Sequence, residues 1–80
     1  MAHYFVFFRR LPDGSVYRLG TAVGTEAGWR FFPNVASRRS SRKAHPTMEK
    51  CLPRWVGYPD SCESRELVQK GRWVGDELEA

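Results

Sequence analysis

With 80 residues the chain has room for one small domain, at roughly 100 to 200 residues per domain, and not for a catalytic domain joined to a regulatory one. Its composition of 41% hydrophobic, 14% aromatic and 28% charged residues is that of a globular chain rather than of a solvated tail. The formal charge is +4, and the longest apolar run, Tyr4 to Phe8, is far short of the ~20 residues a membrane helix needs. No apolar segment ahead of a cleavage site marks a secretion signal, so a cytoplasmic location with no membrane contact is expected.

The charge is unevenly spread. Residues 1–58 hold ten Lys or Arg against three acids, and residues 59–80 hold three against six. A basic body with an acidic end points to a polyanion-binding face or to a tail that screens such a face. Arg outnumbers Lys ten to three, which favours planar, bidentate contacts to phosphate or carboxylate. Two cysteines, Cys51 and Cys62, are too few for a disulfide scaffold and read as free thiols in a reducing compartment.

In chain order, His3 to Arg9 reads as a strand, with Tyr4, Val6 and Phe8 on one face and Phe5 and Phe7 on the other; both faces need cover, as in a central strand. Leu11-Pro12-Asp13-Gly14-Ser15 is a hairpin turn, in which Pro presets φ and Gly accepts a positive one. Val16 to Val23 forms a second strand, with Tyr17 and Leu19 on one side and Val16 and Arg18 on the other. Gly24 to Gly28 turns again, and Trp29-Arg30-Phe31-Phe32 is a third strand ended or bulged at Pro33. Residues 36–44 lack apolar periodicity and carry Arg38, Arg39, Arg42 and Lys43 among Ser37, Ser40 and Ser41, an exposed basic loop.

Thr47 is a good N-cap for a helix opening at Met48, and Glu49 complements its positive end. Pro53 kinks that helix or ends it in a tighter turn before Gly57, with Cys51, Leu52 and Trp55 as its buried stripe. Beyond it two readings stand side by side. Asp60 to Lys70 reads as a helix, opened by a capping-box pattern at Asp60 and Glu63 and stopped at Gly71. Glu66 to Gln69 and Arg72 to Val74 around Lys70-Gly71 read equally as a hairpin. Residues 1–75 then form the domain and 76–80 a frayed acidic C-terminus. The expected fold is α+β, a three-stranded antiparallel meander packed on one helix, with a C-terminal helix or hairpin.

The strongest functional signal is the loop of Arg38, Arg39, Arg42 and Lys43. Guanidinium, hydroxyl and backbone amide groups together are what phosphate oxygens recruit, and such contacts give affinity without reading sequence. Arg30, Lys50 and Arg54 extend the patch, and His45, beside Pro46 at the helix start, reads as a capping or phosphate-facing side chain. Arg38-Arg39-Ser40-Ser41 also resembles a basophilic kinase site, where phosphorylation would switch off anion binding. The tryptophans read as mainly structural in so small a core, with Trp29, beside Arg30, the readiest to stack on a base.

From Trp29 to Trp55 the order is an aromatic and basic strand, a basic Ser/Arg loop, then Thr47-Met48-Glu49 opening a helix that carries a Trp. This resembles the small domains of three antiparallel strands plus one helix at the arms of phage-type integrases and in plant ethylene-response factors, and also short proteins of bacteria and phages. In those families the sheet lies in the DNA major groove, and Arg and Trp side chains touch bases and phosphates. The resemblance implies such contacts for Trp29 and Arg30 on the third strand, Arg18 on the second, and Arg42 and Lys43 entering the helix.

No other chemistry is well marked. His3, His45, Cys51 and Cys62 are metal-ligand types but lack paired spacing, so no metal or cofactor is expected. Ser40-x-x-Lys43 has the spacing of serine acylating enzymes yet lies in a loop, no pair of carboxylates converges, and no glycine-rich phosphate loop is present, so no enzymatic activity is expected. The expected function is non-enzymatic binding, of DNA or RNA through the basic loop. The alternative is a protein-interaction or inhibitor module of the kind mobile elements and phages encode, homodimeric through a strand edge or docked on an acidic protein.

Overall fold

The alternating apolar residues of the first strand are built into a sheet whose two faces are covered differently. The structure, a computed structural model, describes residues 2–34, 38–67, 72–74 and 77–79. Strands β1 (His3–Arg10), β2 (Val16–Thr25) and β3 (Gly28–Pro33) form the expected antiparallel meander. A fourth strand, β4 (Glu63–Leu67), adds antiparallel to the free side of β1, giving the order β3-β2-β1-β4. β1 is therefore central, paired along both of its edges. A separate two-stranded ribbon pairs β5 (Arg72–Val74) with β6 (Glu77–Glu79).

Two expectations are corrected here. The sheet has four strands and not three, and residues 60–70 are not a helix, because Glu63 to Leu67 is extended. A three-stranded meander would leave one side of β1 with unpaired N–H and C=O groups beside a buried core, and pairing Tyr4 to Phe8 with residues 63–67 satisfies them. The period-2 pattern is present in the segment itself: Leu67 is buried with Val6 and Phe8 while Glu66 points to the other side. Asp60 and Glu63, which mimic a capping box, lie in a turn and at the first position of the strand. The alternative hairpin is also replaced, since residues 66 and 67 pair with β1 and residues 72–74 with 77–79; residues 68–71, its turn, lie outside the described residues. Residues 76 and 80 of the expected frayed tail lie outside them too.

The loop between β1 and β2 closes as expected: Leu11 N–H donates to the Ser15 carbonyl at 2.8 Å, and the Asp13 carboxylate accepts from Ser15 Oγ at 2.6 Å and Ser15 N–H at 3.0 Å. Those hydrogen bonds, the hydroxyl one first, hold the Asp13 carboxyl below its ordinary pKa. The register of β1 against β2 shifts between Phe7 and Phe8, so Leu19 is a bulged residue whose side chain still enters the main core.

That core lies on one face, between Phe7, Leu19, Ala22 and Phe31 of the sheet and Cys51 and Val56 beyond it, with Phe5, Trp29, Trp55 and Tyr58 at its border. Its rings meet at steep angles: Tyr58 stands edge-on to Phe7 at 5.1 Å and Trp55 to Phe31 at 6.0 Å. Helix α1 (Met48–Cys51) is a single turn, capped by Thr47, whose hydroxyl accepts from Lys50 N–H at 3.3 Å. Leu52 leaves the helix at ψ 126°, the extended conformation that the following Pro53 imposes. A 3-10 turn at Arg54–Val56 follows and stops at Gly57, φ +71°. Of the expected stripe Cys51 is buried, while Leu52 and Trp55 are half-buried; Val56, fully buried, completes it. Among the described residues no helix is long and apolar enough to cross a membrane.

Candidate nucleic-acid interface

β3 ends the sheet, and its outer edge is occupied by the basic loop. Ser41 N–H donates to the Phe31 carbonyl, and Ser41 Oγ accepts from Phe31 N–H, each at 2.9 Å. Trp29 and His45 exchange both backbone hydrogen bonds at 2.8 Å. The approach depends on Gly28, whose φ is +119° and where a Cβ would stand 2.7 Å from the His45 carbonyl oxygen. The second half of the loop is thus a docked strip along the sheet edge.

The loop displays the expected cations, Arg42 and Lys43 between the docked Ser41 and His45 and Arg38 and Arg39 ahead of them. Arg38, Arg39, Arg42 and Lys43 are all exposed, and Arg39, Arg42 and Lys43 have no hydrogen bond or ion pair among the described residues. The Arg38 guanidinium sits 5.0 Å from the centre of the Trp55 ring, a cation–π contact that ties the loop to the turn after α1. Arg30 donates to the Ser41 carbonyl at 3.0 Å and lies 5.7 Å over the Phe32 ring. Lys50 and Arg54 are exposed on α1 and the 3-10 turn, and Arg54 shares a shallow groove with Glu49. His45 is half-buried and held through its backbone. Trp29 is half-buried as well, its ring 5.8 Å from Phe5 and so close over Gly24 that a Cβ there would stand 2.6 Å away. Ser37 lies outside the described residues.

Arg18 stands apart from the loop, on the sheet face opposite the main core. Exposed and without a partner among the described residues, it pairs across from Phe8. Strand alternation places Tyr4, Val6, Phe8, Thr21, Val23, Arg30, Phe32, Arg65 and Leu67 on the same face. Val6, Phe8 and Leu67 are buried there. Toward β3 the face opens into a groove of about 470 Å³ lined by Tyr4, Thr21, Val23, Phe32, Pro33, Asn34 and Leu67. Sequence reading overlooked Phe32, Tyr4 and Arg65 here. The signal for the first two was the alternation in each strand, which sends Arg30 and Phe32 to the side away from Trp29 and Phe31; Arg65 was hidden by the unresolved choice for residues 60–74.

Two further arginines serve the fold. Arg9 donates to the carbonyls of Trp55 at 2.9 Å, Ser61 at 3.3 Å and Val56 at 3.4 Å, pinning the turn after α1 to the sheet. Arg10 pairs with Glu63 at 3.3 Å, both side chains about half exposed. Both cysteines are free and buried. Burial pushes the Cys51 thiol up to about 11, and burial raises Cys62 as well, with nearby Arg9 opposing the rise. Thiols so shifted are poor nucleophiles. Among the described residues no three His, Cys, Asp or Glu gather to hold a metal ion. What the surface offers chemically is a row of cations and hydroxyls on a fixed backbone, suited to anionic oxygens. The chain matches no family model, no curated protein and no solved structure.

Proposed function

We propose that this is a small non-enzymatic binding protein, working in the reducing cytoplasm, that contacts nucleic-acid phosphates through its basic Arg/Ser loop. The observation that carries the reading is the docking of Ser41 and His45 on β3 while Arg39, Arg42 and Lys43 stay exposed and unpaired among the described residues. A loop already fixed loses less conformational freedom on binding, and cations without acidic partners give up no ion pair. Arg38, held against Trp55, adds a fourth phosphate contact, and Arg30, Lys50 and Arg54 flank the strip.

The test is fluorescence anisotropy of labelled duplex and single-stranded DNA, titrated with the protein from low to physiological salt. Four phosphate contacts make log K fall against log salt with a slope of about −3 to −4 on duplex. Replacing Arg38 and Arg39 together by Ala weakens binding to every sequence and flattens the slope by roughly half. Unchanged affinity in that double variant removes the loop from the reading. A second reading, favoured by the position of β4 at the other end of the sheet, is a protein-interaction module dimerising edge to edge. A monomeric mass at high concentration rejects it.

A further inference from the structure

The groove on the open face of the sheet is a different surface from the loop, and its chemistry is more specific. It combines a half-buried Tyr4 and a Phe32 that is 40% exposed with the polar side chains of Thr21 and Asn34. Its volume of about 470 Å³ falls within the ~300 to 1,000 Å³ common for small-molecule sites. Three exposed arginines share its sheet face. Arg30 pairs across from Val23 in the groove wall, and Arg65 pairs across from Val6 next to Leu67. Arg18 adjoins Leu19, whose carbonyl accepts from the N–H of Asn34 at the groove's end. The one described carboxylate on this face, Glu63, is engaged by Arg10. A groove with aromatic walls, on a sheet face that also carries three exposed arginines without an acidic partner among the described residues, complements a ligand that alternates flat rings with negative charges.

We propose that this groove seats unpaired bases of a single-stranded nucleic acid, stacked against Phe32 and Tyr4, with the adjoining phosphates on Arg18, Arg30 and Arg65. The inference rests on the phosphate-binding reading and narrows it from nucleic acid in general to single strands. Arg30 supplies the continuity: its guanidinium bonds the loop at Ser41 and overlies Phe32, so one strand can pass from the loop over the edge of β3 onto the face. A duplex has its bases stacked internally and cannot offer them to the groove, whereas every unpaired base has a free ring face.

The experiment uses the full chain and a short single-stranded oligonucleotide carrying 2-aminopurine, with its duplex as control. Phe32→Leu keeps an apolar side chain at an exposed position and removes the ring. The expected result is tighter binding to the single strand than to the duplex and quenching of the 2-aminopurine. Phe32→Leu loses roughly 5- to 150-fold in single-strand affinity, the span that stacking of one base on an aromatic ring is worth, together with the quench and at unchanged salt slope. The Arg38→Ala, Arg39→Ala double variant does the reverse, flattening the slope and keeping the quench in the bound state. Equal affinity for duplex and single strand, with Phe32→Leu indistinguishable from the parent and the salt slope intact, overturns the groove inference and leaves the loop reading standing. Absence of binding to either form at low salt overturns both. Sedimentation of the parent as a dimer that Phe32→Leu dissociates likewise overturns it, by assigning the groove to a second copy of the chain.

Discussion

Arg9 and Arg10 are neighbours at the end of β1, and replacing each by Ala separates two uses of the same side chain. Arg9 makes three hydrogen bonds to backbone carbonyls, one short at 2.9 Å to Trp55 and two longer at 3.3 and 3.4 Å to Ser61 and Val56. Hydrogen bonds from a charged donor are worth about 1.5 to 3 kcal/mol each, and carbonyls left without a partner in a partly buried place add to the loss. One strong and two weak bonds sharing a guanidinium give about 2 to 4 kcal/mol for Arg9→Ala. Arg10 has one exposed ion pair to Glu63, worth about 0.2 to 1 kcal/mol. In a domain of this size about 1 kcal/mol moves the melting midpoint by ~4 to 8 °C, so the two variants differ by at least ~4 °C, and by ~10 °C or more at the middle of the two ranges. Urea titration followed by tryptophan fluorescence reads both, and the slope against urea must stay unchanged for the comparison to hold. Arg9→Ala also loosens the turn that carries Trp55, the ring under Arg38, so it weakens nucleic-acid binding by more than Arg10→Ala does. Equal stability of the two variants, within about 0.5 kcal/mol, refutes the idea that Arg9 clamps the turn.

Gly28→Ala tests whether the basic loop is held by the sheet edge. The new methyl meets the His45 carbonyl oxygen at 2.7 Å on a backbone at φ +119°, so the variant loses about 1 to 3 kcal/mol, and the amides of Trp29 and His45 exchange faster with solvent than in the parent; unaltered protection of those amides removes the docking argument. Cys51 offers a pH test. Its thiol rises from 9.0 to about 11 in the fold because burial disfavours the thiolate, so its contribution to stability is complete below about pH 9 and is lost as pH rises through 11. Native protein at pH 8 therefore resists a thiol reagent until denaturant is added, and Cys51→Ala declines less steeply than the parent between pH 9 and 11; rapid native labelling at Cys51 contradicts the burial.

The three-strand meander was legible because its signals are local: aromatic and branched runs, Pro12 to Gly14 at one turn, and Gly28 at the next. The cap at Thr47 and the stop at Pro53 were legible for the same reason, each acting on the backbone within a few residues. The fourth strand was not. Glu63 to Leu67 has one large apolar residue, and what makes it a strand is the unpaired side of β1, nearly 60 residues earlier in the chain. The bulge at Leu19 arises likewise from pairing between strands. The loop's charges could be read directly, but its docking could not, since Ser41 and His45 bind β3 through backbone groups and one hydroxyl.

The same distinction governs how the arginines should be counted. Net charge treats every guanidinium as available to a polyanion, yet Arg9 is committed to three carbonyls and Arg10 to Glu63. Arg30 is committed only in part, since a single hydrogen bond to Ser41 leaves most of its donors unused. Arg39, Arg42, Lys43, Arg18 and Arg65 have no such commitment among the described residues. Counterion release follows the cations that meet phosphates and not the sum over the sequence. The ten basic residues of the first 58 therefore overstate what the surface can offer at once, and the two groups of free cations face different ways, one along the edge of β3 and one across the sheet. On the reading proposed above, a rigid duplex laid against the loop reaches the first group alone, whereas a flexible single strand turns at Arg30 and reaches both.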